Sequence, residues 1–255
     1  MHNGAPYLRK CIASVRNQNY PHDKLEVFIV DNLSDDGSFA VFKEEQAQPF
    51  EGSLQWVSVP QRGKSYALNA GIHVSRGEYV TNIDCDVVLH PDAILNMVKA
   101  FTADPDLGAA TGSVEVMERK TEGSDPLRHL LAECEFQEYY SGFRIGRQYQ
   151  TATNSLFTLA GAFSIFRRDV LLRTFLYDKQ TVSEDTKMTF EIHKRFRDLN
   201  KACIAEAIAY VEPTPSLSAL YAQRVRWQRG QLEVASLLTV FMRSPLRLKG
   251  LSSPK

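Results

Sequence analysis

Asp84-Cys85-Asp86 sets two carboxylates on either side of a cysteine, at the end of a run, residues 78–84, that reads as a buried strand. Ionised carboxylates are costly to bury unpaired, so such a pair points to a cation, a hydrogen-bonded ligand or solvent. Hard oxygen ligands at this spacing suit Mg²⁺ or Mn²⁺ bridging a diphosphate. The pattern alone says little: in a chain with 30 acids among 255 residues, Asp104-Pro105-Asp106 and Glu133-Cys134-Glu135 repeat it. Only Asp84 and Asp86 follow an apolar strand in the alternating half. If that strand runs on through Cys85, its two-residue period puts both carboxylates on one side and the cysteine on the other.

Other stretches offer complementary chemistry. Lys64, after Gly63, stands close to a helix start with Ser65 as its natural N-cap, and there backbone amides and dipole favour an anion. It is open whether Lys64 meets a phosphate or only water. Glu184-Asp185 opens another helix. Acids complement the dipole of a first turn, and a carboxylate held at a cleft can also take the proton from an attacking hydroxyl. Gln223, Arg226 and Trp227 are three and four residues apart, so they share one helix face. They can present an arginine fork for phosphate beside an aromatic platform, or bury the tryptophan and leave the arginines in water. The small residues Gly161-Ala162 permit close backbone approach to a ligand, as they also permit an ordinary turn.

These residues need elements to hold them. Helices are expected over residues 6–17, 39–46, 65–74 and 91–101, alternating with strands over 25–30, 54–59 and 78–84. Such alternation argues for a mostly parallel, doubly wound α/β sheet flanked by helices, with ligands beyond the carboxyl ends of its strands. Asp31, Asp84 and Asp86 collect on that edge. The second half is less regular: strands over 108–117, 162–166 and 202–211, helices over 126–140 and 184–197, and an amphipathic helix over 216–242. A soft boundary near residue 115 lies within one compact unit.

The length suits one large domain or two small ones. A formal charge of zero gives no overall field to draw in nucleic acid. Cys11, Cys85, Cys134 and Cys203 are too scattered for a zinc site or a disulfide framework, so a reducing compartment is expected. No signal peptide is visible, and the apolar run 234–242 is too short to cross a bilayer. Both ends look cut. Arg243, Arg247, Lys249 and Lys255 form a basic end that fits an anionic membrane surface or plain solvent.

Taken in order, "FIVDNLSDDGS", "RGKSYALNAGI", "NIDCDVVLHPDAI", "LAGAFSIFRRDVL", "VSEDTKMTFEI" and "QRVRW" resemble the GT-A, family 2 inverting glycosyltransferases. The likeness is to the catalytic part of the processive synthases of cellulose, chitin, hyaluronan and poly-N-acetylglucosamine. It covers nearly the whole chain, and its most specific element is QxxRW. The resemblance implies that Asp31 contacts the uridine of a UDP-sugar, Lys64 its diphosphate and Asp84 the nucleoside, while Asp86 holds Mg²⁺ or Mn²⁺. Asp185 would be the general base. Glu184, Gln223, Arg226 and Trp227 would border the acceptor and leaving diphosphate, with Gly161 lining the acceptor channel. On this reading residues 1–115 bind the nucleotide sugar, 116–215 bind the acceptor, and 216–255 form the QxxRW helix and basic tail.

The implied activity is metal-dependent, inverting transfer from a UDP-sugar to a growing polysaccharide at the cytosolic face of the plasma membrane. Three departures stand out. The strand that begins this family ahead of "HNGAPYLRKCIASV" is missing, as are the transmembrane helices of processive synthases, and "SED" replaces "TED". A non-processive transferase acting on a lipid or protein, and a nucleotide-sugar-binding module without turnover, are the alternatives.

Overall fold

The computed structural model describes residues 1–117, 126–178 and 181–239. Its elements are α1 (Ala5–Arg16), β1 (Glu26–Asp31), α2 (Ser38–Gln46), β2 (Ser53–Ser58), α3 (Lys64–Val74), β3 (Tyr79–Ile83), β4 (Val88–Leu89) and α4 (Ala93–Ala103). There follow β5 (Leu107–Val116), α5 (Pro126–Tyr139), a π-helical segment (Tyr140–Gly146), α6 (Arg147–Ala152), β6 (Phe163–Arg167), α7 (Arg168–Leu172), α8 (Glu184–Arg195), β7 (Asn200–Val211) and α9 (Leu217–Thr239). The expected alternation of the first half is present. β4, the π-helical segment, α6 and α7 were not expected from the sequence. The basic end, with Arg243, Arg247, Lys249 and Lys255, lies outside the described residues.

β1 and β2 pair in parallel, Glu26 opposite Ser53 through Asp31 opposite Ser58. The other strands form a second sheet in the order β3-β6-β5-β7-β4. Here β5 and β7 run parallel, but β3–β6, β5–β6 and β4–β7 are antiparallel. The pairing is thus more mixed than a mostly parallel sheet. The cause is the route from β5 to β6: the chain returns at the edge where β3 and β5 end, so β6 runs back down between them. Phe163 opens β6 opposite Ile83, the last residue of β3. That brings Gly161-Ala162 to the same edge as Asp84, whose amide donates to the Ala162 carbonyl at 3.2 Å.

Helices cover both faces. In β6, Phe163 and Ile165 join the core beneath α4, while Phe166 turns to the opposite core with Met188 and Ile192 of α8 and Leu171 of α7. Packing rather than capping holds α4: Asp92 makes no side-chain cap bond, whereas Ile94, Met97 and Phe101 are buried. A cap contributes about 1 kcal/mol and each large apolar side chain about 2 kcal/mol, so three anchors outweigh the missing cap. Gly112 in β5 is required by close approach, because a Cβ there would lie 2.3 Å from the Phe163 ring and 2.5 Å from the Ala207 carbonyl. At that point β7 slips its register, placing Ser113 opposite Ile208. Met1 lies along the end of β1, its ammonium donating to the Val30 carbonyl at 2.6 Å and its carbonyl accepting from the Asn32 amide at 2.8 Å.

Candidate active site

β3 stops at Ile83, and Asp84 to Val87 form a turn closed by the Val87 amide on the Asp84 carbonyl at 3.1 Å. The expected pleat through Cys85 is therefore absent. The turn still aims both carboxylates into one cavity of about 830 Å³ and keeps Cys85 out of its lining, with Sγ packed near Gly4. Burial first, and the Asp84 charge second, raise the Asp86 carboxyl above its ordinary value. A cation bound there would relieve both. Among the described residues no set of three His, Cys, Asp or Glu side chains could hold an ion unaided. This donor set therefore fits Mg²⁺ or Mn²⁺ only with diphosphate oxygens completing the shell.

Gly63, at φ 140°, turns the chain into α3, which opens at Lys64. Ser65 is not the expected N-cap: its hydroxyl donates to the Asp178 carbonyl at 3.0 Å, tying α3 to the loop before α8. The loop ahead of Gly63 is fixed by buried Asn32, whose amide nitrogen donates to the Gln61 carbonyl and whose oxygen accepts from the Gly63 amide at 2.6 Å. Lys64 Nζ then reaches Asp84 Oδ1 at 2.9 Å and Glu184 Oε1 at 3.3 Å. Burial opposes the ammonium, but the charges of Asp84 and Glu184 outweigh it and hold the lysine above its ordinary value. A cation so fixed at a helix start is suited to an anionic ligand.

Asp185 sits in the first turn of α8 with one oxygen on the Thr186 amide at 2.7 Å and the other on the Gly161 amide at 3.2 Å. Gly161 lies between the two groups: a Cβ there would lie 3.2 Å from Lys64 Nζ, a tight approach, and in ordinary contact 3.6 Å from Asp185 Oδ2. The lysine from the first half and the carboxylate from the second thus converge across one glycine. The start of α8 is itself clamped by α9. Gly230 packs so closely on Ser183 that a Cβ would come within 1.9 Å of its hydroxyl, and Glu233 accepts from the Val182 amide at 3.0 Å.

Gln223, Arg226 and Trp227 of α9 all line the cavity. Trp227 packs against Tyr139 and Phe143, with the Arg224 guanidinium 4.3 Å above its ring. Arg226 is exposed, and its charge reaches Asp86. Buried Glu135 on α5 accepts from the amide and hydroxyl of Thr214, and Glu138 pairs with Arg224, so α5 fixes the start and orientation of α9.

Lys64, Asp84, Asp86, Gly161, Glu184, Asp185, Gln223, Arg226 and Trp227 therefore share one cavity. Asp31 does not line it. It ends β1, nearly buried, accepting from the Ser34 amide at 3.2 Å, and its charge and that of Asp84 both reach the Met1 ammonium. Sequence reasoning missed Tyr139, Phe143 and Arg147, which form part of the opposite wall. Their spacing of four was the available signal, a stripe that an unbroken helix through residue 147 would have shown.

Other proteins are similar to this chain in sequence or in shape. Poly-beta-1,6-N-acetyl-D-glucosamine synthase of Staphylococcus aureus (strain COL) is 28% identical over 215 residues, covering 84% of this chain and 49% of that protein. The synthase of the same name from Staphylococcus epidermidis is 27% identical over 233 residues, covering 91% and 53%. This chain thus spans about half the length of the curated relatives it matches. Among solved structures, the mannosyltransferase PcManGT from Pyrobaculum calidifontis, in complex with GDP-Man and Mn²⁺, superposes with a TM-score of 0.71 at 22% identity, covering 100% of this chain and 64% of that one. S. aureus TarS, in complex with UDP-GlcNAc, gives 0.60 at 13% identity, covering 86% and 58%. At those identities the likeness shows the fold, the GT-A fold. Residues 1–175, which carry Asp31, Lys64, the Asp84–Asp86 turn and Gly161, match the model of glycosyl transferase family 2, and the chain belongs to that family.

Proposed function

We propose that this chain is the catalytic part of an inverting, metal-dependent transferase that moves a sugar from a UDP-sugar to a growing polysaccharide at the cytosolic face of a membrane. The observation that carries the reading is the meeting of Lys64 and Asp185 across Gly161. It sets a fixed cation and a carboxylate oriented by two backbone amides close together on the cavity wall, where this reading seats the sugar. The synthases similar in sequence are named for a poly-N-acetylglucosamine product, which favours a polysaccharide acceptor.

Asp185 takes the proton from an acceptor hydroxyl. That oxygen attacks the anomeric carbon from the face opposite the diphosphate, the bond from that carbon to the diphosphate oxygen breaks, and UDP leaves with the electron pair. Lys64 and Arg226 place positive charge where the leaving diphosphate gathers negative charge. When bound, Mg²⁺ or Mn²⁺, held by Asp86 and diphosphate oxygens, adds Lewis-acid stabilisation of the same group. Asp84 fixes Lys64 and borders the nucleoside, and Asp31 contacts the uridine from the neighbouring strand end. The test is UDP release with a donor and an oligosaccharide acceptor. Turnover should require a divalent cation and fall about 10²- to 10⁴-fold in Asp185→Asn, the range of a lost general base. Metal-independent turnover, or full activity in that variant, would overturn the proposal.

A further inference from the structure

Arg147 is the first residue of α6, set by the π-helical segment just before it, and is 7% exposed. A buried guanidinium normally spends its N–H groups on carboxylates or carbonyls, because an unpaired buried charge is expensive. Here Nη1 is buried with no hydrogen-bond partner among the described residues, and the guanidinium lies 4.4 Å from the centre of the Phe143 ring. It lines the same cavity as Asp185, whose charge acts on it, as do the Cys203 and Tyr139 side chains. Lys64 and the Asp84–Asp86 turn enter the cavity from other elements, the start of α3 and the end of β3. Arg147 belongs with Tyr139, Phe143 and Trp227, the aromatic wall.

We infer that Arg147 is an acceptor-recognition residue, its guanidinium donating to an oxygen of the acceptor sugar while that sugar presents its hydroxyl to Asp185. A guanidinium only donates, so the ligand atom must accept, as a sugar hydroxyl, ring or acyl oxygen does. The aromatic wall offers ring faces to the apolar face of the same sugar. The inference rests on the proposed transferase activity and adds where the acceptor is gripped.

The experiment compares the full-length protein with Arg147→Met and Arg147→Lys, using UDP-N-acetylglucosamine, Mn²⁺ and a β-1,6-linked N-acetylglucosamine oligosaccharide. Arg147→Met should raise the acceptor KM about tenfold or more, the effect of losing a hydrogen bond to a charged donor. UDP affinity and acceptor-independent donor hydrolysis should stay within about twofold, and oligosaccharide binding measured by calorimetry in the presence of UDP should weaken in parallel. Melting temperature should change little, since the methionine side chain can replace the guanidinium against the Phe143 ring. Arg147→Lys, which keeps the charge without the fork, should also raise the acceptor KM and serves if the methionine variant fails to fold. An unchanged acceptor KM in either variant overturns the inference, as does an equal loss of UDP affinity. So does a fall in kcat with a shifted pH profile at constant acceptor KM, which would make Arg147 only the counter-charge of Asp185. A wild-type protein that turns over without a cation, or binds no oligosaccharide, instead rejects the underlying activity.

Discussion

Burial and the Asp84 charge raise the Asp86 carboxyl, so protons compete with a cation there at higher pH than at an ordinary aspartate. The sign follows directly: a metal needs the ionised form, and a raised value makes that form scarcer as pH falls. Mn²⁺ affinity in the presence of UDP, followed by calorimetry from neutral to acid pH, should begin to drop above the ordinary aspartate value of about 3.9. A flat affinity down to that value would show that Asp86 is not the ligand. Lys64→Met should weaken UDP binding about tenfold by removing a charge-assisted contact to the diphosphate. UDP affinity equal to wild type would detach Lys64 from the nucleotide. At this scale the sequence was readable where a residue type has few uses behind a strand, as with the Asp84 and Asp86 pair. It was unreadable where the answer depended on a distant partner. Two carboxylates two apart fit a pleat or a turn equally well, and it is the Val87 amide closing on the Asp84 carbonyl that makes the turn. Ser65 has the right side chain for a cap but is drawn off by Asp178, and the significance of Arg147 lies wholly in its burial.

Among the elements, α9 does more than present QxxRW. Its Gly230 and Glu233 hold Val182 and Ser183, the residues that feed into Glu184 and Asp185. Gly230→Ala would drive a methyl group into Ser183 and push α9 from the start of α8. Overpacking of this kind costs about 1 to 3 kcal/mol, and denaturant unfolding should show that loss together with reduced turnover. Ser183→Gly in the same chain removes the struck side chain and should recover part of both. A Gly230→Ala protein as stable and active as wild type would mean that α9 does not position the base. The strands and helices of the first half were legible because each apolar run has the period of its element. The direction of β6 was not: it depends on which edge of the sheet the chain leaves and re-enters, a property of the whole connection. The π-helical segment also escaped local reading, since Tyr139, Phe143 and Arg147 have ordinary helical spacing.

At the scale of the whole molecule, the two halves of the chain bring unlike chemistry to one cavity: a lysine and two aspartates from the first half, the Glu184 and Asp185 carboxylates, aromatic rings and arginines from the second. The family pattern covers residues 1–175, whereas Asp185 and QxxRW lie beyond it. Their place in the same cavity is therefore a separate observation from family membership. Among the described residues no helix is long and apolar enough to cross a membrane, so the membrane-face part of the proposal needs a test on the full-length protein. In the proposed transfer a single displacement driven by Asp185 inverts the anomeric centre, so the stereochemistry of the product reports on it. Proton NMR of the first linkage formed from an α-linked UDP-sugar should show a new β anomeric proton. An α product would contradict the account, because it would require retention and hence a different role for Asp185.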